Sequence, residues 1–444
     1  MDLIEAPGDI FAETGRQEKT DFSISGLFQA RASLDTARED RVENNTSLKN
    51  RILVETQYKD ALTLSVLSDY LYFGPDNQTD DYDLDLYEAT WKYRNDNMDF
   101  TLGKQILRWG KTDRLSPVDT INPRDNREFI TPDYEETKIP VWMADLNFFF
   151  GNSRLEAVFI PFFEESELDY FQSDWAIFSH LKEELQNSPL LAPDQKRYFQ
   201  GIGVHEEDPN QEAELAMRFS TTIKNLDLDL SWHHTTEDVP YFKNFPVKNI
   251  SVDGEFSEEN LVSTLDSAVL TDENVEVEYK KTETAGLAFE TTVGDFGVRG
   301  EAAWHENRSF LTSSLTSVRR PVVEYILGAD HTSTIKGGET YLNLQFAHSH
   351  IHDYDPGILY FDEDTYSLLG EISRDIISDW LEAGLHYSIT LNNRSHYLSP
   401  RLKYTYITNL DLTIGAHIFS GDQDTWLGRF RENDQYFLDL TYHF

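Results

Sequence analysis

The sequence predicts an all-β protein and, within that class, a transmembrane antiparallel β-barrel of about 18 strands. Three observations predict this fold. Apolar and polar residues alternate along most of the chain, very short turns alternate with long polar connections, and the last residues form an amphipathic strand with a terminal aromatic side chain. An even strand number with short turns at one end and long loops at the other is typical of single-chain outer-membrane barrels.

The alternation has a period of two residues, as expected for a strand with one apolar and one polar face. A clear example is residues 226–232, in which every second side chain is apolar: Leu226, Leu228, Leu230 and Trp232. Each apolar side chain removed from water contributes on the order of 1.5–3 kcal/mol, which drives insertion into lipid. The same pattern predicts strands at 21–34, 43–58, 60–73, 82–94, 98–108, 139–150, 154–161, 212–223, 226–236, 274–293, 296–306, 320–333, 338–350, 364–377, 380–391, 395–407, 410–421 and 434–444.

The connections between these strands differ in length in a regular order. Short polar turns such as Lys224-Asn225 and Gly294-Asp295 alternate with longer connections such as 109–138, 162–211 and 237–273. This predicts short turns in the periplasm and long extracellular loops. Residues 1–20 are predicted to be an N-terminal periplasmic or lumenal segment, and residues 21–444 the outer-membrane barrel. No signal peptide is visible after Met1, so we expect a mature exported sequence.

The end of the chain resembles the signal by which outer-membrane barrels are recognised for assembly. A buried terminal strand of a soluble β-protein is the alternative. The first interpretation predicts as partners the barrel-assembly machinery and the lipid and lipopolysaccharide of the outer membrane of a Gram-negative bacterium. The residues of this predicted assembly signal are Tyr436, Leu438, Leu440, Tyr442 and Phe444.

Composition excludes several functions. The chain of 444 residues carries 79 acidic and 38 basic side chains, and its net charge of −41 argues against a nucleic-acid partner. It contains no cysteine, and it lacks the Gly-x-Ser-x-Gly and His-Glu-x-x-His motifs, so we predict neither an enzyme nor a cofactor. His348, His350 and His352 are weak metal-ligand candidates, because alternate residues of a strand lie about 7 Å apart. A polar rim at the outer interface is the alternative.

The predicted inner face carries charged side chains and cannot form a dry core. At this strand number the interior is too wide for side chains alone to fill, so the architecture predicts a channel that loops could narrow. The predicted lumen wall includes Arg31, Arg218, Arg299, Arg401 and Lys403.

The third long connection is the segment most directly linked to function. Residues 103–130 carry six basic and four acidic side chains, a local balance of +2. We predict that this connection folds into the lumen, narrows it and favours small anionic or amphipathic molecules. A compatible alternative is that its charges pair among themselves and fasten the loop to the wall. The predicted constriction residues are Lys104, Arg108, Trp109, Lys111, Arg114, Asp119, Asn122, Arg124, Asp125 and Arg127.

Two runs of the sequence resemble the Gram-negative outer-membrane barrel family catalogued as domain of unknown function 1302: GKQILRWGKTDRLSPVDTINPRDNREF at 103–129 and IPVWMADLNFFFGNSRLEAVFIPFFE at 139–164. The family features are a Trp-Gly pair (Trp109-Gly110), an Asn-Pro-x-Asp segment (Asn122 to Asp125) and a Pro-ending strand (Pro161). Lys111 departs from the family, in which an acid is expected after the Trp-Gly pair.

The resemblance implies an outer-membrane barrel that passes hydrophobic or lipid-like molecules, with a periplasmic or inner-membrane exporter as a partner. The leading prediction is therefore an outer-membrane channel or export porin for a small anionic, amphipathic or hydrophobic molecule. Two alternatives stay open. The first is a non-conducting binding or scaffold barrel that sheathes or docks a partner protein, and the second is a hydrolase embedded in a barrel.

Overall fold

The computed structural model describes residues 21–35, 44–58, 60–72, 80–171, 173–178, 189, 192–206, 213–249, 269–271 and 274–444. The predicted N-terminal segment 1–20 lies outside these residues. The described part contains one α-helix, α1 (Pro193–Gln200), and a short 3-10 helix at Gly428–Phe430. No helix in this part is long and apolar enough to cross a membrane.

The strands of the described residues are, in chain order, β1 Asp21–Asp35, β2 Asn44–Tyr58, β3 Asp60–Tyr72, β4 Asp80–Asn95, β5 Met98–Gln105, β6 Val141–Phe150, β7 Ser153–Ile160, β8 Val204–Glu206, β9 Glu214–Ile223, β10 Leu226–Thr236, β11 Tyr241–Asn244, β12 Val247–Lys248, β13 Val269–Leu270, β14 Val275–Glu278, β15 Lys281–Val293, β16 Phe296–Leu311, β17 Ser317–Ile335, β18 Gly338–Ile351, β19 Asp364–Ile377, β20 Leu381–Thr390, β21 His396–Tyr404, β22 Leu410–Ser420 and β23 Gln435–His443.

Eighteen of these strands form one antiparallel sheet. Each pairs with its neighbours along the chain, except that β8 and β11 to β14 belong to the loops, so β7 pairs with β9 and β10 with β15. The first strand, β1, pairs with the last, β23, through a register that joins Leu27 to His443 and Asp35 to Gln435. Among the described strands of this sheet, the pairings therefore run in a cycle, so that each strand has a partner on both sides. The prediction of an all-β, antiparallel fold is confirmed.

The two faces of the sheet differ in polarity, because alternate side chains point to opposite faces. Leu230 of β10 lies between Phe219 of β9 and Leu287 of β15, and both leucines are exposed. The adjacent Asp229 lies between Ser220 and Ala288 and is buried. We call the exposed apolar side the outer face and the polar side the inner face.

Short turns lie at one end of the strands, and the connections at the other end are mostly longer. Turns such as Lys336-Gly337, with φ of 51° and 84°, use the left-handed backbone conformation that fits the twist of a two-residue hairpin. At the other end, β8, β11 and β14 form a separate three-stranded sheet. A hydrophobic cluster, here called the loop core, packs around it: Phe171, Phe178, Phe242, Phe245, Val247, Val275, Val277, Leu315 and Leu359.

Candidate pore constriction

The connection between β5 and β6, residues 106–140, lies against the inner face, and we call it the inner loop. Trp109 anchors its first part. The indole is buried, with the His233 ring 4.8 Å and the Arg218 guanidinium 5.0 Å from it. Because these two residues belong to β10 and β9, the tryptophan fastens the loop to the wall three to four strands round from β5, on which the loop begins.

Asn122 holds the two ends of the inner loop together. Its side-chain oxygen accepts a hydrogen bond of 2.8 Å from the Leu107 N–H. Its amide group donates to the carbonyls of Ile139, at 2.9 Å, and Gln105, at 3.1 Å. A buried side chain that satisfies backbone groups on both arms makes the loop a folded unit.

A buried ion pair between Asp119 and Lys138 lies at the centre of the inner loop. Their oxygen and nitrogen atoms are 2.7 Å apart, and each side chain is only 1% exposed. Arg124 and the Tyr134 hydroxyl also contact Asp119, each at 3.3 Å. Burial and the charge of Asp119 raise the pKa of Tyr134 well above its usual value. Lys138 was not among the predicted residues, since nothing in its spacing in the sequence marks it as the partner of Asp119.

Glu301 fastens residues 111–116 of the inner loop, here called the tip, to β16. This buried carboxylate accepts hydrogen bonds from the Lys111 N–H at 2.5 Å, the Thr112 N–H at 2.7 Å, the Thr112 hydroxyl at 2.8 Å and the Ser116 hydroxyl at 2.6 Å. Gly110 permits this close approach, because a Cβ there would lie 2.1 Å from Ser116 Oγ. One wall residue therefore holds three residues of the tip.

Asp113 extends the contact to the far side of the ring. It accepts hydrogen bonds from Asn343 at 2.8 Å and Gln345 at 3.2 Å, both on β18. From β5 to β18 the sheet passes β6, β7, β9, β10, β15, β16 and β17, so these strands lie eight positions apart in a ring of eighteen. The inner loop therefore crosses the interior.

Arg114 contacts the wall farther round, on β20. It donates to the His386 ring and forms an ion pair of 3.4 Å with Asp133. Burial lowers the pKa of this guanidinium, and the negative charge of Asp133 partly offsets that effect. Its φ of 62° lies in the left-handed region, so the backbone turns sharply where the side chain meets the wall.

The other predicted constriction residues form ion pairs with charged residues of the inner loop or of the wall. Arg108 pairs with Glu135 at 2.9 Å, and Lys111 with Asp229 at 3.4 Å. Asp125 pairs with Arg127 at 2.8 Å. Burial alone would raise the pKa of Asp125, but the hydrogen bonds and charge of Arg127 outweigh that effect and lower it.

Lys104 does not lie with this group. It shares its face of β5 with Leu102 and pairs with Trp142, and both of these side chains are exposed on the outer face. The inner positions of this part of the strand are Thr101, Gly103 and Gln105, which are buried. The placement of Lys104 in the constriction was therefore wrong, because the two-residue period turns it outward.

The inner loop is also less basic than predicted. Residues 106–140 contain six basic and seven acidic side chains, a balance of −1. The difference from 103–130 arises because Lys104 drops out, Lys138 enters, and Asp133, Glu135 and Glu136 are added.

The five predicted wall residues point to the inner face, and each has an acidic partner. Arg31 contacts Asp439 at 3.0 Å, Arg218 contacts Glu156 at 2.6 Å, Arg401 contacts Glu371 at 2.7 Å and Lys403 contacts Asp411 at 3.0 Å. Arg299 bonds to Asp330 and, at 3.3 Å, to Asp113 of the inner loop. Thus the loop's acids also pair with wall cations.

The other predicted residues lie on the outer face. His348 and His350 share this face of β18 with Leu344, and both contact the same oxygen of Asp364, at 2.8 and 2.9 Å. Within the described part of the chain, no group of three or more His, Cys, Asp or Glu side chains could hold a metal ion. The apolar residues at the chain end lie partly or fully exposed on one face: Tyr436, Leu438, Leu440, Tyr442 and Phe444.

A family profile described as "Protein of unknown function (DUF1302)" matches residues 2–444. This chain belongs to that family, as the resemblance predicted. Among curated proteins, no match was found.

Solved structures show a similar fold. OccAB1 of Acinetobacter baumannii is 8% identical and has a TM-score of 0.50, with 96% of each chain covered. OccK9 (OpdG) of Pseudomonas aeruginosa is 10% identical and has a TM-score of 0.50, with 95% of this chain and 98% of that chain covered. At these identities the likeness shows the fold, a porin-type β-barrel.

Proposed function

We propose that this protein is an outer-membrane channel for small molecules, with an interior narrowed by the inner loop. The observation that carries the proposal is the attachment of Thr112 and Asp113 to Glu301 and Asn343, far from the strand on which the loop begins. A closed antiparallel ring satisfies its backbone hydrogen bonds, and its apolar outer face suits hydrocarbon. Short turns would face the periplasm, and the long connections the exterior.

The proposed cargo is a small anionic or amphipathic molecule. Arg108 supports this, because its side chain is 38% exposed although Glu135 pairs with it. Arg114 supports it too, because its ion pair with Asp133 is long, at 3.4 Å, and the Asp133 side chain is 60% exposed to solvent. A solute passing the tip would meet both guanidinium groups. Release to an inner-membrane exporter stays a prediction.

Neutralising Arg108 and Arg114 together should lower the preference for anions. A unit charge acts on an ion 4 Å away with about 1 kcal/mol in water, so we expect the anion-to-cation permeability ratio to fall several-fold. Reversal potentials in a planar bilayer under a salt gradient measure this ratio. Lys104→Ala is the matched control, since this lysine lies on the outer face and its removal should leave the ratio unchanged. An unaltered ratio in Arg108→Ala/Arg114→Ala would contradict the proposed path.

The scaffold alternative is favoured by one observation, the loop core. Its nine buried residues come from four separate connections and pack into one body beyond the strand ends. If the barrel is sealed, purified protein will not conduct even after residues 111–116 are deleted. That result would overturn the channel and favour a docking surface on the loops. Neither function requires a catalytic group.

A further inference from the structure

Arg429 is a buried cation in the long connection between β22 and β23. It is 7% exposed, and among the described residues its guanidinium has no ion pair and no hydrogen-bond acceptor. Its neighbours are three aromatic rings. The guanidinium carbon lies 4.4 Å from the centre of Phe430, 4.7 Å from Tyr360 and 5.0 Å from Trp426.

The backbone around Arg429 is firmly folded. Thr425 accepts the Arg429 N–H at 3.0 Å and its hydroxyl accepts the Gly428 N–H at 3.1 Å. Gly428 has no room for a side chain, because a Cβ there would lie 2.2 Å from the Asp422 carbonyl oxygen. A parallel bridge joins Thr425 to Tyr360 of the connection after β18. The cation and the rings are therefore held in a preformed arrangement.

This arrangement leaves the charge of Arg429 only partly compensated. Burying an ion without a partner is costly, and burial accordingly lowers the pKa of Arg429. Contacts with aromatic faces recover part of this cost, typically about 0.5–2 kcal/mol. A planar guanidinium has five donors in a fork that matches a carboxylate. An entering carboxylate would supply the acceptor that the described residues do not.

The surrounding rings indicate what the carboxylate should be attached to. Trp426 is 37% exposed, so it forms the open side of the site. Its ring lies 5.1 Å from Phe129 of the inner loop, and Phe129 is 6.3 Å from Trp175. Both belong to an aromatic cluster with Tyr397 on β21. A series of aromatic rings in contact with one another therefore extends from Arg429, in the connection after β22, to Tyr397 on the inner face.

We propose that Arg429, Trp426, Tyr360 and Phe430 form an entry site for a carboxylate carried on an aromatic or similarly apolar body. The site rests on the proposed function for its purpose, since it would collect such anions where they enter the interior. It also narrows the cargo from anions in general to apolar carboxylates. The guanidinium supplies the selection for charge, and the rings supply the selection for an apolar body.

Titration calorimetry on the purified full-length protein tests this site without requiring conduction. The probes are benzoate, benzyl alcohol, benzylamine and acetate. We expect benzoate to bind at least about tenfold more tightly than benzyl alcohol and benzylamine, because one charge-assisted hydrogen bond is worth a factor of that size. We also expect benzoate to bind more tightly than acetate, because acetate has no apolar body to contact the rings. Benzyl alcohol or benzylamine binding equally well would overturn the need for an anion. Acetate binding equally well would overturn the role of the rings.

Arg429→Gln should weaken benzoate binding by about tenfold or more. Arg431→Gln is the matched control, because Arg431 lies two residues away and is exposed. The Arg431→Gln variant should bind benzoate as the unmodified protein does. Arg429→Lys keeps the charge and guards against misfolding; we expect affinity between those of the unmodified protein and Arg429→Gln. Equal affinity in Arg429→Gln and Arg431→Gln would overturn the site. Benzoate binding that depends on Arg429 in a protein that does not conduct would leave the site standing and remove the channel.

Discussion

Glu301→Ala is expected to release the tip of the inner loop and to raise the conductance of the channel. The carboxylate accepts four hydrogen bonds from Lys111, Thr112 and Ser116, and hydrogen bonds to a charged group contribute about 1.5–3 kcal/mol each. These contributions do not add fully, because water can replace some of them, so we expect a loss on the order of 3 kcal/mol in loop attachment. Single-channel recording should show larger and noisier open currents.

Glu290→Ala is the control for this change. Glu290 lies on the adjacent strand β15, its side chain is 43% exposed, and its contact with Lys111 is an ion pair of 4.0 Å. Because exposed pairs contribute little, its removal should leave the current nearly unchanged. Equal currents in both variants would show that Glu301 does not hold the constriction. Protease digestion at the tip gives a second measure, since Glu301→Ala alone should expose it.

The strands could be predicted because alternation is a local property of the sequence. The predicted strand 226–236 matches β10, Leu226–Thr236, and the predicted 43–58 differs by one residue from β2, Asn44–Tyr58. The fifth strand was predicted to run over 98–108, but β5 ends at Gln105. Beyond that residue the backbone bonds to side chains, since the Leu107 N–H is taken by Asn122. Periodicity does not report this competition.

The site could be predicted only in part. Charge and a tryptophan singled out the inner loop. Apart from Lys104, the predicted residues contact either other residues of this loop or residues of the wall. Their partners on the wall could not be predicted, because they are distant in the sequence: Thr112 and Glu301 are 189 positions apart, and Asp113 and Asn343 are 230 apart. Such pairs depend on the stagger of the strands round the ring, which the alternation of residues along the chain does not reveal.

Asp119→Ala is expected to destabilise the inner loop more than any other single change within it. It leaves the Lys138 ammonium buried, with its nearest negative charge, Glu135, 3.8 Å away. It also removes the acceptor for the backbone N–H of Trp109 and for the Tyr134 hydroxyl. Removing one partner of a buried ion pair costs about 3–5 kcal/mol. Amide hydrogen exchange should therefore become much faster across 106–140, while the strands keep their protection.

Two further variants separate charge from packing. Asp133→Ala removes an acid of the same loop whose side chain is 60% exposed, so it should cost no more than about 1 kcal/mol. The double variant Asp119→Leu/Lys138→Met replaces the ion pair by apolar groups and should cost less than Asp119→Ala, because no unpaired ammonium remains. Arg124 would keep its bonds to the Tyr134 carbonyl and the Thr137 hydroxyl. If the double variant exchanges as fast as Asp119→Ala, the stabilisation comes from the neutral hydrogen bonds of Asp119 rather than from its pairing with Lys138.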